Sequence, residues 1–300
     1  MMLQVSIIIV TYNTLGITRQ CIDSVYAHTE GVDFEIIVVD NASSDGSRQA
    51  LAADTRIRYV YSDENLGFGR ANNMGMRMAK GKYLFLLNSD TILQNNAVKM
   101  LYDAAESYGG RLGVMGTILL GNDRRPTHSY GRFITIGNSL SDPIARTLRR
   151  LTHKKSDIYN PEIPESAIGV EYVSGADMFL PAAIFETTGG FDPDFFMYAE
   201  DAEWQYRIAK AGYDRVIIPE PRIIHLEGAS DASARREWSY TRLYNAISSR
   251  MIYIRKHYSR TAYTVFRIAY AAVRIPTVLA AGYSGGQKLS LLKLLIVKKP

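Results

Sequence analysis

The chain has one cysteine, Cys21, in 300 residues. That excludes an internal disulfide framework and fits a reducing compartment. Cys21 falls in a helix-like pattern and reads as a small core residue. Long apolar runs are also missing. In the last part of the chain the longest uncharged run, Ile275 to Gln287, has 13 residues and includes Pro276 and three glycines. A membrane-spanning helix needs about 20 apolar residues. At the start there is no basic segment followed by an apolar stretch and a cleavage site, so no signal peptide is expected. Acidic residues are absent from Trp238 to Pro300, where there are eleven Lys and Arg. The remainder carries 24 basic and 30 acidic side chains, net −6. A mildly acidic body argues against a nucleic-acid binder. The expected place is the cytoplasm, either in solution or on the inner face of the cytoplasmic membrane.

Apolar and β-branched runs are plentiful. Val5 to Val10, Phe34 to Val39 and Tyr83 to Leu87 read as buried strands, with a shorter strand at Arg58 to Tyr61. Between them, Ile17 to His28 and about Arg70 to Lys80 have helical spacing. Another helix is expected near Asn95 to Ser107 and a strand at Leu112 to Leu119. Strand and helix alternating with short links predict an α/β, doubly wound, mostly parallel sheet. From Gly121 to Ala167 the pattern dissolves into a locally basic stretch with Arg124, Arg125, His128, Arg132, Arg146, Arg149 and Arg150. Pattern returns at Gly169 to Leu180, interrupted at Gly175-Ala176. Ala182 to Thr188 is an expected helix, and Tyr198 opens another running to about Ala211. Ile217 to Pro219 and Arg222 to Leu226 are two last expected strands.

Chemistry gathers at strand ends. Asn88-Ser89-Asp90 follows the strand KYLFLL, and Asp40 ends FEIIVV. Both carboxylates are expected at the carboxyl edge of the sheet, where open α/β sheets bind ligands. Asp90 is a hard oxygen donor suited to Mg²⁺ or Mn²⁺; the alternative is a turn that caps the following helix. Gly67-Phe68-Gly69 lacks the third glycine of a dinucleotide fingerprint, with Asn72 at that place. Its glycines permit a sharp turn or close approach to a ligand. Glu200, Asp201 and Glu203 open a helix, where they complement its dipole or shift one another's pKa values to supply a base.

Seven stretches in order, VSIIIVTYNT, EIIVVDNASSDGS, NLGFGRANNMG, YLFLLNSDT, VSGADMFL, GGFDPDFFMYAEDAEWQYRIAKAG and IIHLEGAS, resemble the blocks of family 2 glycosyltransferases of the GT-A fold. The similarity is to the bacterial rhamnosyltransferase-like branch and covers about residues 3 to 231. It implies a nucleotide site of Thr11, Tyr12, Asn13, Asp40, Asn65, Gly67, Asn72, Asn88 and Ser89, with Asp40 on the N3–H of uracil or thymine. Asn88-Ser89-Asp90 stands where the family has Asp-x-Asp, the first Asp being Asn88 here. Asp90 and His225 would hold a divalent metal, Mg²⁺ or Mn²⁺. Asp201 would be the general base, paired with Glu200. Gly175, Ala176, Asp177 and Trp204 would line the acceptor site, and Arg207 would meet a phosphate.

The implied reaction is inverting, metal-dependent transfer of a sugar, L-rhamnose from dTDP-rhamnose by resemblance, onto a hydroxyl of a lipid-linked or polysaccharide acceptor. A catalytically silent, nucleotide-binding membrane partner is the alternative that Asn88 favours. A nucleotidyltransferase would need a glycine- and basic-rich loop after Val10, which is missing. The expected organisation is a GT-A domain over 1–237, with a nucleotide half at about 1–120 and an acceptor half at about 168–237. A basic amphipathic helical extension follows over 238–300. There Arg260, Arg267 and Arg274 recur every seven residues, close to one helix face, beside Tyr263, Phe266 and Tyr270. That pattern predicts a helix at a membrane interface or, alternatively, helices that cover the sheet edge or form a dimer contact, with the arginines outward.

Overall fold

A computed structural model describes residues 3–143, 162–226 and 240–297. In chain order the first elements are β1 (Val5–Thr11), α1 (Leu15–His28), β2 (Phe34–Asn41), α2 (Ser47–Ala52), β3 (Arg58–Ser62) and α3 (Phe68–Met78). Next come β4 (Tyr83–Leu87), β5 (Thr91–Leu93), α4 (Ala97–Tyr108), β6 (Leu112–Leu120) and β7 (Tyr130–Gly131). Then follow β8 (Ile168–Gly169), β9 (Tyr172–Val173), β10 (Asp177–Pro181), α5 (Ala182–Thr188), α6 (Glu200–Lys210) and β11 (Asp214–His225). Three helices, α7 (Tyr240–His257), α8 (Arg260–Ala280) and α9 (Gly285–Ile296), follow. The chain divides into two compact units. Among the described residues, the first holds 3–133, 162–196 and 200–226, and the second holds 134–143, 197–199 and 240–297.

The first unit is built on a sheet of order β3-β2-β1-β4-β10-β6-β11-β5. β1 pairs in parallel with β2 and β4, β2 with β3, and β6 with β11. β10 runs antiparallel between β4 and β6. The β-branched run of β1 is buried on both faces because helices cover both. One face packs Ile7, Ile9, Val38 and Phe85 against Cys21, Ile22 and Val25 of α1 and Leu101 of α4. The other packs Ile8, Leu84, Leu86 and Met178 against Met76 of α3 and Trp204 and Ile208 of α6. This two-sided burial is the doubly wound, mostly parallel arrangement that the alternating pattern predicts.

Three local details depart from expectation. The two short strands expected at Ile217–Pro219 and Arg222–Leu226 are one strand, β11, whose register breaks between Ile218 and Ile223. Pro219 and Pro221 lie in the break, and proline has no N–H for the ladder. The Gly175-Ala176 interruption sends its flanks into different sheets, β9 onto β7 and β10 onto β4. Asp90 does not cap α4, whose N-cap is Asn96.

In the second unit, α7 buries Ile247, Met251 and Ile254. Ser259 caps α8 by accepting from the Ala262 N–H at 3.2 Å. Ser284 and Gln287 form a reciprocal capping box that starts α9. No helix among the described residues is long and apolar enough to cross a membrane.

Candidate active site

Strands β1, β2 and β4 share one carboxyl edge. Thr11 lies opposite Asp40, and Ile8 opposite Leu86. The segments after these strands therefore meet, as expected at the ligand-binding edge of such a sheet. After β4 the chain turns at Asn88 to Asp90 and enters β5. β5 runs antiparallel to β11, with Thr91 opposite His225. This pairing brings His225 to Asp90. The two are 135 residues apart in the chain, yet His225 Nε2 lies 3.2 Å from Asp90 Oδ1.

 Asn88 is 137 residues from His225 in the chain, and its amide nitrogen is 3.5 Å from the same ring nitrogen. Turning the Asn88 amide over would present its oxygen there instead. The Asn88 backbone is held at both ends: its N–H donates to the Ala176 carbonyl (3.0 Å), and its carbonyl accepts from the Thr91 hydroxyl (2.7 Å). Ser89 is buried beside it. Cys21 lies beneath, with its Sγ 3.6 Å from the Asn88 carbonyl. Cys21 is fully buried, as expected of a core residue, and burial pushes its thiol up to about 12.

An oxygen and an imidazole nitrogen 3.2 Å apart are donor types that one divalent cation accepts as neighbouring ligands. Among the described residues, no group of three or more His, Cys, Asp or Glu could enclose an ion. Two protein donors suit a cation whose other ligands are water and phosphate.

Asp201 approaches from α6. Its Oδ1 accepts from the Ala202 N–H at 2.8 Å, and its Oδ2 from the Gly175 N–H at 3.1 Å. Burial raises its pKa, while these N–H bonds and the charge of His128 pull the other way. A fixed carboxylate with raised proton affinity is equipped to act as a base. Gly175 leaves room for it, since a Cβ there would come 3.2 Å from the Phe68 ring and 3.5 Å from Asp201 Cβ. Just before α6, Tyr198 (φ 72°) and Ala199 (φ 66°) both take left-handed conformations, uncommon for residues with a side chain. Glu200 is buried against the start of α3, where a Cβ on Gly69 would lie 3.6 Å from its Cγ.

Several expected site residues are buried or bonded within the scaffold. Asp40 is fully buried; its Oδ1 accepts from the Ser43 N–H (2.8 Å) and its Oδ2 from the Tyr59 hydroxyl (2.7 Å). It anchors the turn after β2, and no part of its carboxylate is open to a nucleobase. The Thr11 side chain is buried in a hydroxyl cluster with Thr14 (3.0 Å) and Thr18 (2.8 Å). Asn72 is buried and donates to the Phe68 carbonyl within α3 at 3.1 Å. Gly67 has φ 78°, and a Cβ there would meet the Phe196 carbonyl oxygen at 2.1 Å, so its close approach is to protein. Asp177 is buried and ties β10 to β6, its Oδ2 accepting from both the N–H and hydroxyl of Thr117 at 2.7 Å. Trp204 is fully buried against Phe191, and its indole N–H donates to Thr188 at 2.8 Å. Arg207 bonds to Glu203 and to the Thr188 and Gly190 carbonyls, so its described partners are all within the protein.

Tyr12 and Asn13 remain at the surface of this edge. Asn13 accepts from the Ser44 N–H at 2.7 Å. Asn65 accepts from Asn41 and from the Gly67 N–H, both at 2.9 Å. Sequence reasoning missed Asn41, whose amide also accepts from the Leu66 N–H at 2.8 Å and so shapes the loop into α3. It also missed His128 as a neighbour of Asp201. The His128 segment is docked by the Ser174 N–H on the Ser129 carbonyl (2.8 Å) and by two-residue pairing of β7 with β9. A two-residue strand leaves no periodicity to read. Gly228, Ala229 and Ser230 of the last block, and Arg146, Arg149 and Arg150, lie outside the described residues.

Comparison with known proteins agrees on one family. The model for glycosyl transferase family 2 matches residues 6–162. The succinoglycan biosynthesis protein ExoO of Rhizobium meliloti is 30% identical over 128 residues, 42% of this chain and 36% of that protein. The chain thus spans about a third of that relative's length. N-acetylglucosaminyl-diphospho-decaprenol L-rhamnosyltransferase of Mycobacterium tuberculosis is 24% identical over 202 residues, 63% of this chain and 66% of that one. Among solved structures, the mannosyltransferase PcManGT of Pyrobaculum calidifontis, in complex with GDP-Man and Mn²⁺, is similar with a TM-score of 0.57 at 17% identity. The match covers 96% of this chain and 78% of that one.

Proposed function

The chain belongs to glycosyl transferase family 2, and from that membership we propose that it is an inverting, metal-dependent transferase in cell-surface glycan synthesis. What supports this reading is that His225 meets Asp90 at 3.2 Å, while Asp201 accepts from the Gly175 N–H next to Ala176, whose carbonyl accepts from the Asn88 N–H. The donor is a nucleotide diphosphate sugar. The mycobacterial relative is an L-rhamnosyltransferase, which favours L-rhamnose from dTDP-rhamnose. The acceptor is a hydroxyl of a lipid-linked or polysaccharide glycan, met on the inner face of a cytoplasmic membrane.

Asp90 and His225 would hold the divalent cation, Mg²⁺ or Mn²⁺. When bound, it stabilises the charge that builds on the leaving nucleoside diphosphate. Asp201, held by the Gly175 N–H, takes the proton of the acceptor hydroxyl. The acceptor oxygen then bonds to the anomeric carbon on the face opposite the diphosphate. The bond from that carbon to the diphosphate breaks, and its electron pair leaves with the nucleoside diphosphate. One displacement inverts the anomeric centre without a protein nucleophile. Tyr12, Asn13 and Asn65 line the nucleotide side of the edge, and Gly175 and Ala176 the acceptor side.

The test is donor hydrolysis and transfer across a panel of nucleotide sugars with Mg²⁺, Mn²⁺ or chelator. Metal-dependent release of dTDP from dTDP-rhamnose is the expected result. Release from a UDP-sugar would keep the class and discard rhamnose. Nucleotide binding without release, even with a lipid-linked acceptor supplied, would favour the silent partner, the reading that Asn88 supports.

A further inference from the structure

The C-terminal helices carry a surface that the arginine spacing does not reveal. α8 turns Phe266, Tyr270 and Val278 inward. Arg267 and Arg274 go with that inner side: Arg267 Nε donates to the Leu295 carbonyl of α9 (3.1 Å), and Arg274 Nε to the Tyr270 hydroxyl (3.2 Å). The expected outward arginine stripe is therefore absent at these two positions. The exposed side of α8 carries Thr261, Thr264 and Thr277 and a run of apolar residues. Val265 is 62% exposed, Ile268 69% and Leu279 52%. Ala272 and Pro276 are exposed between them, and Ile275 is half-buried. These positions follow helical spacing and make one stripe about 100° wide. On α9, which packs along α8, Leu289 and Ile296 are also more than half exposed.

We propose that this stripe docks the protein on an anionic lipid surface. The proposal rests on the membrane-side reading given above and names the surface that makes the contact. Charge selects the occupant. Residues 238 to 300 hold eleven Lys and Arg and no Asp or Glu. A second copy of these helices would bring like charge against like, which opposes self-association. An anionic bilayer offers both an apolar layer for the stripe and negative headgroups for the basic residues around it. Arg255, Lys256, Arg260 and Lys293 are exposed on the same three helices. Apolar insertion and basic attraction are the two signals that together give stable peripheral binding.

The experiment is flotation of the full chain with vesicles of phosphatidylcholine alone or with about 30% phosphatidylglycerol. The wild type and a Val265→Asp/Ile268→Asp variant are compared. Both side chains are already in water, so the variant keeps its fold, checked by thermal melting. The wild type is expected to float with the anionic vesicles and to be released by about 0.5 M salt. The variant is expected to bind about tenfold less. Equal flotation of the two proteins, or wild type left behind by anionic vesicles, overturns the proposal. So does a concentration-dependent dimer that the variant abolishes, since that gives the stripe to a second copy. Donor hydrolysis in solution, measured on both proteins, is expected to be equal. Its absence from both would count against the glycosyl-transfer reading and leave the flotation result standing.

Discussion

Asp40 lies at the end of β2, one residue before its close, and Asp90 follows β4, on either side of β1 at one edge of the sheet. In sequence the two look alike, each a carboxylate after a buried strand. Both are buried in the fold, but their oxygens meet different groups. Asp40 gives one oxygen to the Ser43 N–H and the other to the Tyr59 hydroxyl. Asp90 turns an oxygen toward the ring nitrogen of His225. A carboxylate with no exposed surface and both oxygens met by protein donors, as in Asp40, is part of the frame. One that faces a second metal-type donor keeps its capacity for a cation. The strand-end position therefore tells where a carboxylate sits, and its neighbours decide what it does.

Asp201 extends the comparison to the acceptor side, with the largest expected effect. Asp201→Asn is expected to lower transfer by about 10²- to 10⁴-fold with donor affinity nearly unchanged, read by steady-state kinetics and nucleotide titration. Retained turnover would move the base elsewhere. Asp177 stands between the two types. One oxygen accepts twice from Thr117, while Oδ1 is buried without a hydrogen-bond partner among the described residues. Burial lifts its pKa from 3.8 to about 7. The folded state therefore binds more protons than the unfolded state between those values, and this group's contribution to stability falls as pH rises through that window. Asp177→Asn should remove that loss. Its stability relative to wild type is expected to rise from pH 4 to 7 by an amount on the order of a few kcal/mol. A pH-independent difference in melting would show that the burial is relieved some other way.

The direct contrast is Asp90→Ala against Asp40→Ala. The first is expected to reduce chelator-sensitive donor turnover by about 10- to 100-fold with little change in melting. The second strands the Ser43 N–H and the Tyr59 hydroxyl, at a cost of about 1–3 kcal/mol in stability, and keeps the response to metal. Unchanged metal response in Asp90→Ala, or its loss in Asp40→Ala, would reverse the assignment.

The sheet was legible because each buried strand is a short, continuous apolar run and each crossover helix has its own period. Ala182 to Thr188 matches the expected helix in full, its end marked by Gly189 in the left-handed region. Asp90, Asp201 and His225 were placed by resemblance, and the antiparallel β5–β11 pairing supplies the physical reason that Asp90 and His225 meet. Side-chain direction at the strand ends was not legible. Asp40 and Thr11 lie on neighbouring strands at the same level, and both are buried. Trp204 was misplaced for a related reason. Helix periodicity puts it on the face shared with Ile208, and that face is the core.

Tyr59→Phe is the smallest and most selective test of this comparison. It removes one hydroxyl from Asp40 and leaves the ring in place. The loss of one hydrogen bond to a charged group costs about 1.5–3 kcal/mol at most, and half-burial of Tyr59 lets water replace part of it, so a cost of about 1 kcal/mol is expected. If Asp40 belongs to the frame, melting falls slightly while KM for the donor and discrimination between thymine and cytosine nucleotides stay constant. If Asp40 instead reaches a nucleobase on binding, freeing its Oδ2 changes how that base is read. KM and base selectivity would then shift together, with a smaller change in melting. That split between stability and selectivity separates a carboxylate that holds a turn from one that holds a ligand.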